Sequence, residues 1–156
     1  MNKNLLAVIL FPVVVNGCIS DPFESEKDVD IITDSSSYTL TEELKIKVSF
    51  KNHLSRDVRI VNDNCEVPSF ILEKGFNNTW QQVYFSNCLK LPVYSVFPTI
   101  LESRQTLTIE ISIHISNIQT ERLEGEYRFV FNLIEKDNYN RLPEKYMYSN
   151  VFNILE

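Results

Sequence analysis

Three glycines, three cysteines, two histidines and one tryptophan in 156 residues narrow the chemistry before any pattern is read. A loop that cradles phosphates needs clustered glycines, and three scattered ones cannot build it. Neither His53 nor His114 is flanked by the nucleophile-and-acid arrangement that acyl transfer requires. No Cys-x-x-Cys occurs, so redox and zinc spacings are both missing. Basic residues are the minority, 15 against 21 acidic, and the formal charge of −6 has the wrong sign for a nucleic-acid partner. Asp57, Asn62, Asp63 and Asn64 read as a polar loop, because they lack the spacing of a calcium-binding loop. The sequence thus implies no cofactor, no metal and a noncatalytic protein. Long apolar runs are missing too, except at residues 5–15.

That run follows Lys3, giving the charge-then-apolar order of a secretion signal. It is too short to span a bilayer, which takes about 20 apolar residues. Its end, Val15-Asn16-Gly17-Cys18, resembles the lipobox of bacterial lipoproteins, although Asn16 stands where that pattern has a small or apolar residue. In those proteins a signal peptidase cuts before a cysteine whose sulfur already carries a diacylglycerol. The resemblance implies removal of residues 1–17 and lipidation of Cys18. Each buried methylene contributes about 0.8 kcal/mol, so two or three chains hold a protein to the bilayer where one does not. The alternatives are an ordinary cleaved signal with cysteine as the first mature residue and an uncleaved anchor. Ile19, where Asp would be an inner-membrane sorting signal, points by the same resemblance to the outer membrane of a bacterial envelope.

Residues 18–28 contain Asp21, Glu24, Glu26 and Asp28 against Lys27, the composition of a solvated tether. Residues 29–156 have the length of one domain. Leu44, Ile46, Val48 and Phe50 alternate with polar residues, as do Leu107, Ile109, Ile111, Ile113 and Ile115, so one face of each strand meets a core and the other meets water. Tyr127, Phe129, Phe131 and Leu133 repeat the pattern, and Phe152 and Ile154 close the chain. Residues 29–33, 57–62, 69–74 and 79–85 are weaker strand candidates. Short antiparallel strands without helical periodicity predict an all-β sandwich of about seven to nine strands.

If Cys18 is lipidated, Cys65 and Cys88 remain as a pair in a compartment where disulfides persist. With Gly75-Phe76-Asn77-Asn78 as a four-residue turn, Lys74 faces Thr79, and the same register sets Cys65 opposite Cys88. A disulfide there would contribute about 3 kcal/mol on the chain-entropy account.

Several segments together resemble the single immunoglobulin-like domains of bacterial lipoproteins, a mostly uncharacterised group. They are Asp34-Ser35-Ser36-Ser37-Tyr38-Thr39-Leu40, the strand from Leu44 to Phe50 running into Lys51-Asn52-His53, the cysteine-flanked hairpin with Trp80, Gly125-Glu126-Tyr127, and Ser149-Asn150-Val151-Phe152. The layout is also similar to the domain of a bacterial proteinase inhibitor. The first resemblance implies an immunoglobulin-like sandwich, and the second implies inhibition of an extracytoplasmic protease through a rigid loop, at residues 64–70 or 135–147. Residues 135–148 are longer than the usual connection before a last strand and read as a candidate functional loop.

The aromatic residues allow two readings. Trp80 and Tyr84 fall on one face of the hairpin with Phe85 on the other, and Tyr94 follows in a proline-punctuated segment. Packed inward they fill the core, the reading favoured for a chain with one tryptophan; exposed, they form a platform for a protein or glycan. Tyr139, Tyr146 and Tyr148 in the late insertion are expected to be partly exposed. A membrane-tethered binding module of the envelope is the expectation, with Trp80, Tyr84, Tyr94, Tyr139 and Tyr146 as candidate surface.

Overall fold

The computed structural model describes residues 28–62, 68–86 and 99–156. The expected signal sequence, most of the expected tether, Cys18, Cys65, Cys88 and Tyr94 lie outside them, as do Asp63 and Asn64.

Eleven strands make up the described fold: β1 (Val29–Thr33), β2 (Ser37–Thr39), β3 (Glu43–Asn52), β4 (Val58–Ile60), β5 (Phe70–Phe76), β6 (Thr79–Phe85), β7 (Thr99–Leu101), β8 (Thr106–His114), β9 (Gly125–Phe131), β10 (Leu133–Glu135) and β11 (Phe152–Leu155). They form a five-stranded sheet in the order β2-β11-β9-β5-β6 and two three-stranded sheets, β1-β3-β8 and β10-β4-β7. All neighbours are antiparallel except β11 and β2. The inward side chains of the three sheets join in one core, so the chain is an immunoglobulin-like β-sandwich.

The alternation in β3 explains its place at the centre. Leu44, Ile46, Val48 and Phe50 are buried while Lys45, Lys47 and Lys51 are exposed, and β1 and β8 pair on either side. Phe50 meets Phe131 of the opposite sheet edge-on, with ring centroids 4.7 Å apart. Phe70, Tyr127, Phe129 and Phe152 continue that aromatic layer. The inward alternation runs unbroken from Tyr127 through Leu133, yet the backbone changes sheets at Asn132, leaving β9 for β10. The three strands additional to the eight expected regions are β2, β7 and β10, each of three residues and too short to show a period.

Two polar devices fix the ends of strands. Asn52 is buried; its amide nitrogen donates to the carbonyls of Arg56 at 2.8 Å and Glu102 at 3.1 Å, and its Oδ1 accepts from Leu54 N–H at 2.9 Å. Tyr127 donates its hydroxyl to the Leu123 carbonyl, the back-reaching bond of the tyrosine corner in immunoglobulin-like folds.

The β5–β6 hairpin departs from the expected register. Asn77 and Asn78 alone form the turn, with φ of 45° and 64°. Both positive values match a type I′ turn, whose twist suits a hairpin and which asparagine tolerates. Phe76 therefore faces Thr79 and Gly75 faces Trp80. A bulge follows, because Glu73 faces Gln82 but Leu72 faces Tyr84, leaving Val83 unpaired in the ladder. The register that would set Cys65 opposite Cys88 is thus not the one this hairpin adopts.

Candidate functional site

The bulge decides where the aromatic residues go. Up to Gln82 the outward positions of β6 are those of Trp80 and Gln82; Val83 and Tyr84 then both turn inward, and Phe85 is exposed again. Trp80 and Tyr84 consequently occupy opposite faces, contrary to the simple alternation. Tyr84 packs against Phe70, with centroids 5.7 Å apart. Trp80 is not in the core. Its ring lies over Gly75 across the hairpin, with Cζ3 3.6 Å from the position a Gly75 Cβ would take.

On this outer face of the five-stranded sheet, Arg128 of β9 projects between two rings. Its guanidinium carbon is 4.4 Å from the Trp80 ring centroid and 3.8 Å from that of Tyr148. Glu73 of β5 holds the same guanidinium, its Oε2 accepting from Nε and from Nη2 at 2.7 Å each. Tyr148 reaches this face because its backbone bridges Val130, and its hydroxyl donates to Glu144. That hydrogen bond, followed by burial, pushes the Tyr148 phenol above its usual range. Four chain segments thereby build one ordered row of Trp80, Arg128 and Tyr148 with two carboxylates. Beside Trp80 a groove of about 440 Å³ runs along the hairpin tip, lined by Asn77, Asn78, Thr79 and Glu126.

The late insertion divides into an anchored and a projecting part. Leu142, Tyr146 and Met147 are buried, and the backbone N–H of Phe131 donates to Met147 at 2.9 Å. Tyr146 is therefore core, not surface, because a turn of 3₁₀ helix at Glu144–Tyr146 rolls it inward. Residues 136–139 form the exposed tip of a tight hairpin between β10 and Arg141. Lys136 pairs with Asp57 at 2.8 Å and Arg56 with Glu135 at 2.6 Å. Arg59 lies 4.7 Å from the Tyr139 ring centroid, and Tyr139 is 64 % exposed at a φ of 60°. The Lys136 ammonium, then the Ser103 N–H, hold the Asp57 carboxyl below its ordinary value.

Of the five candidate surface residues, Trp80 and Tyr139 are presented outward, in separate places; Tyr84 supports the core and Tyr146 belongs to it. Arg128 and Glu73 escaped sequence reasoning. Their one signal was an outward position, Glu73 in β5 beside the tryptophan strand and Arg128 in β9 on the far side of β5. His53 Nε2 lies 2.9 Å from Asp30, and His114 is exposed beside Glu43. Asn62 contacts Thr99. Among the described residues no group of three or more His, Cys, Asp or Glu side chains could hold a metal, and no helix is long and apolar enough to cross a membrane.

No family model matches the chain, and no curated protein matches it in sequence. Solved structures with partial likeness include the alkylpurine DNA glycosylase AlkC of Pseudomonas fluorescens, bound to DNA containing an abasic-site analog. It is 10 % identical with a TM-score of 0.38, over 85 % of this chain and 32 % of that one. A β-glucosidase of Erythrobacter marinus is 11 % identical with a TM-score of 0.38, over 81 % of this chain and 15 % of that one. The sporulation control protein Spo0M of Bacillus subtilis is 11 % identical with a TM-score of 0.37, over 83 % of this chain and 49 % of that one. The chain spans less than half the length of each. Likeness at this level says nothing of activity.

Proposed function

We propose that this protein is a lipid-tethered, noncatalytic β-sandwich module of the bacterial cell envelope that binds a glycan or protein through the outer face of its five-stranded sheet. The observation that carries the reading is the row of Trp80, Arg128 and Tyr148 beside a polar groove. A partly exposed indole with a guanidinium over its ring offers an apolar surface at low entropic cost. Asn77, Asn78, Thr79 and Glu126 supply amides, a hydroxyl and a carboxylate next to it. An indole face beside such groups suits a pyranose ring, whose C–H face stacks while its hydroxyls exchange hydrogen bonds. The tether reading rests on the likeness of residues 15–18 to a lipobox, and Cys18→Ala should release a folded, soluble protein.

Trp80 is the one tryptophan, so its emission reports directly on the site. Titration of the mature domain with envelope oligosaccharides should shift that emission, and crosslinking in intact cells should capture a partner that Trp80→Ala loses. Capture unchanged by Trp80→Ala and by Arg128→Ala would overturn the assignment of this face.

The second reading, inhibition of an extracytoplasmic protease, is favoured by the projecting tip at residues 136–139. Inhibition needs a rigid exposed loop, and Asp57, Arg56 and Arg59 brace this one. Micromolar protein should then slow an envelope protease, and Tyr139→Ala should weaken the effect. No inhibition across a panel of such proteases retires it.

A further inference from the structure

Along β5 the inward positions are Phe70, Leu72 and Lys74. The third should be apolar, yet it is a lysine only 4 % exposed. It stands at one end of the sandwich, where residues 118–125 cross over the inner side of the hairpin and Gln119 N–H donates to the Val83 carbonyl at 2.7 Å. An ammonium has three N–H donors. Lys74 gives one to the Arg122 carbonyl, and among the described residues no other acceptor and no carboxylate ion pair meets it. The faces of Phe76 and Tyr127 are its remaining neighbours, with centroids at 5.2 and 5.5 Å.

A methionine or leucine would pack the same stem without burying a charge, so core packing does not account for this side chain. Burial, outweighing the nearby Glu124 carboxylate, holds its ammonium below the ordinary lysine range. The side chain lines a cleft of about 540 Å³, a size suited to a small ligand. Gln81 and Gln119 line the same cleft, and among the described residues neither side-chain amide has a partner. Glu121 and Glu124 stand there as well.

We propose that this cleft binds a small ligand bearing a single carboxylate, which completes the hydrogen bonding of Lys74 while the glutamine amides hold its polar body. With Lys74 and Arg122 set against Glu121 and Glu124 the lining is balanced in charge, and the two glutamates disfavour a second negative charge on the ligand. A doubly charged phosphate would meet their repulsion, whereas one carboxylate balances the lysine. The site lies on the inner side of the β5–β6 hairpin, away from the Trp80 row, and does not depend on it.

The test is an amide and lysine-side-chain NMR titration of the mature domain with glucuronate and with N-acetylalanine. Glucose serves as the neutral control and glucose 6-phosphate as the phosphate control. Both carboxylates should move the Lys74 side-chain, Gln119 and Gly125 signals and raise the pH at which Lys74 titrates. Lys74→Met should weaken binding about tenfold to a hundredfold, the loss expected for one charge-assisted hydrogen bond. Gln119→Ala, at an exposed position, tests the cleft if Lys74→Met misfolds, and should weaken binding several-fold. Trp80→Ala should leave it unchanged, so failure here and failure of the outer-face reading are separable. Saturation without a shift at Lys74, equal response to glucose and glucuronate, tighter binding of the phosphate, or affinity unchanged in both cleft variants would overturn the proposal.

Discussion

Gly125 and Lys74 are built around each other. Gly125 has a φ of +133°, and a Cβ placed on it would stand 3.1 Å from Lys74 Cε. The backbone conformation strains any side chain there, and the lysine stem would have to give by a few tenths of an ångström to admit one. Gly125→Ala should therefore cost about 1–3 kcal/mol in denaturant unfolding. Adding Lys74→Met should recover only part of the loss, since the methionine can yield space but cannot relieve the backbone. Full recovery in the double variant would show that crowding alone dictates the glycine.

The turn of the β5–β6 hairpin makes a second prediction. Asn78 adopts a φ of 64° at the second central position of a two-residue turn. Glycine is favoured there in type I′ turns. Asn78→Gly should raise stability by about 0.5–1 kcal/mol, and Asn78→Val should lower it by more, because a β-branched residue resists positive φ. Equal midpoints for the three proteins would refute the turn assignment.

How much of this was legible in the sequence depended on distance along the chain. The strand at residues 44–50 announced itself because four consecutive inward positions are apolar, and all eight expected strand regions are strands. The hairpin register was misread because Gly75, a familiar turn residue, sits inside β5 opposite Trp80. Nothing in Gln82-Val83-Tyr84 marks the bulge that sends Tyr84 inward. Arg128, Glu73, Trp80 and Tyr148 lie on separate segments, and only the pairing of β5 with β9 and β6 and the bridge from Tyr148 to Val130 bring them together. Lys74 was a missed signal of another kind. It breaks an apolar alternation, and an inward charge is the sort of local inconsistency that accompanies function.

Extremes of pH should act at opposite ends of the molecule. Lys136 and the Ser103 N–H depress the Asp57 carboxyl below 3.8, so its contribution is complete above the ordinary carboxylate range and fades as pH falls through the folded value. Asp57→Asn should flatten that acid limb and loosen the 136–139 tip in amide exchange. Burial, reinforced for Tyr38 by its bond to Asp34 and for Tyr127 by Glu124, pushes both phenols from 10.0 up to about 12. Their stabilisation is complete below pH 10 and is lost as pH rises through 12. Tyr127→Phe should remove part of that alkaline limb along with the bond to Leu123, at a cost of about 1 kcal/mol at neutral pH. An alkaline unfolding curve that Tyr38→Phe and Tyr127→Phe leave in place would locate the transition elsewhere.

The outer row makes the sharpest test of cooperation between residues. Arg128 donates two hydrogen bonds to Glu73 and lies against two ring faces, so no single partner accounts for its position. Arg128→Ala leaves a half-buried Glu73 carboxylate without its cation and should cost about 2–3 kcal/mol. Glu73→Gln keeps the ring contacts and should cost less. If the row acts as a unit, a double-mutant cycle between Arg128→Ala and Trp80→Ala should give a coupling of about 1 kcal/mol, within the range for a cation over an indole. Trp80 emission should move to the red in Arg128→Ala as the indole gains water and freedom. Additive losses with unchanged emission would mean that the indole is held by the sheet alone, and that the guanidinium does not organise this face for a ligand.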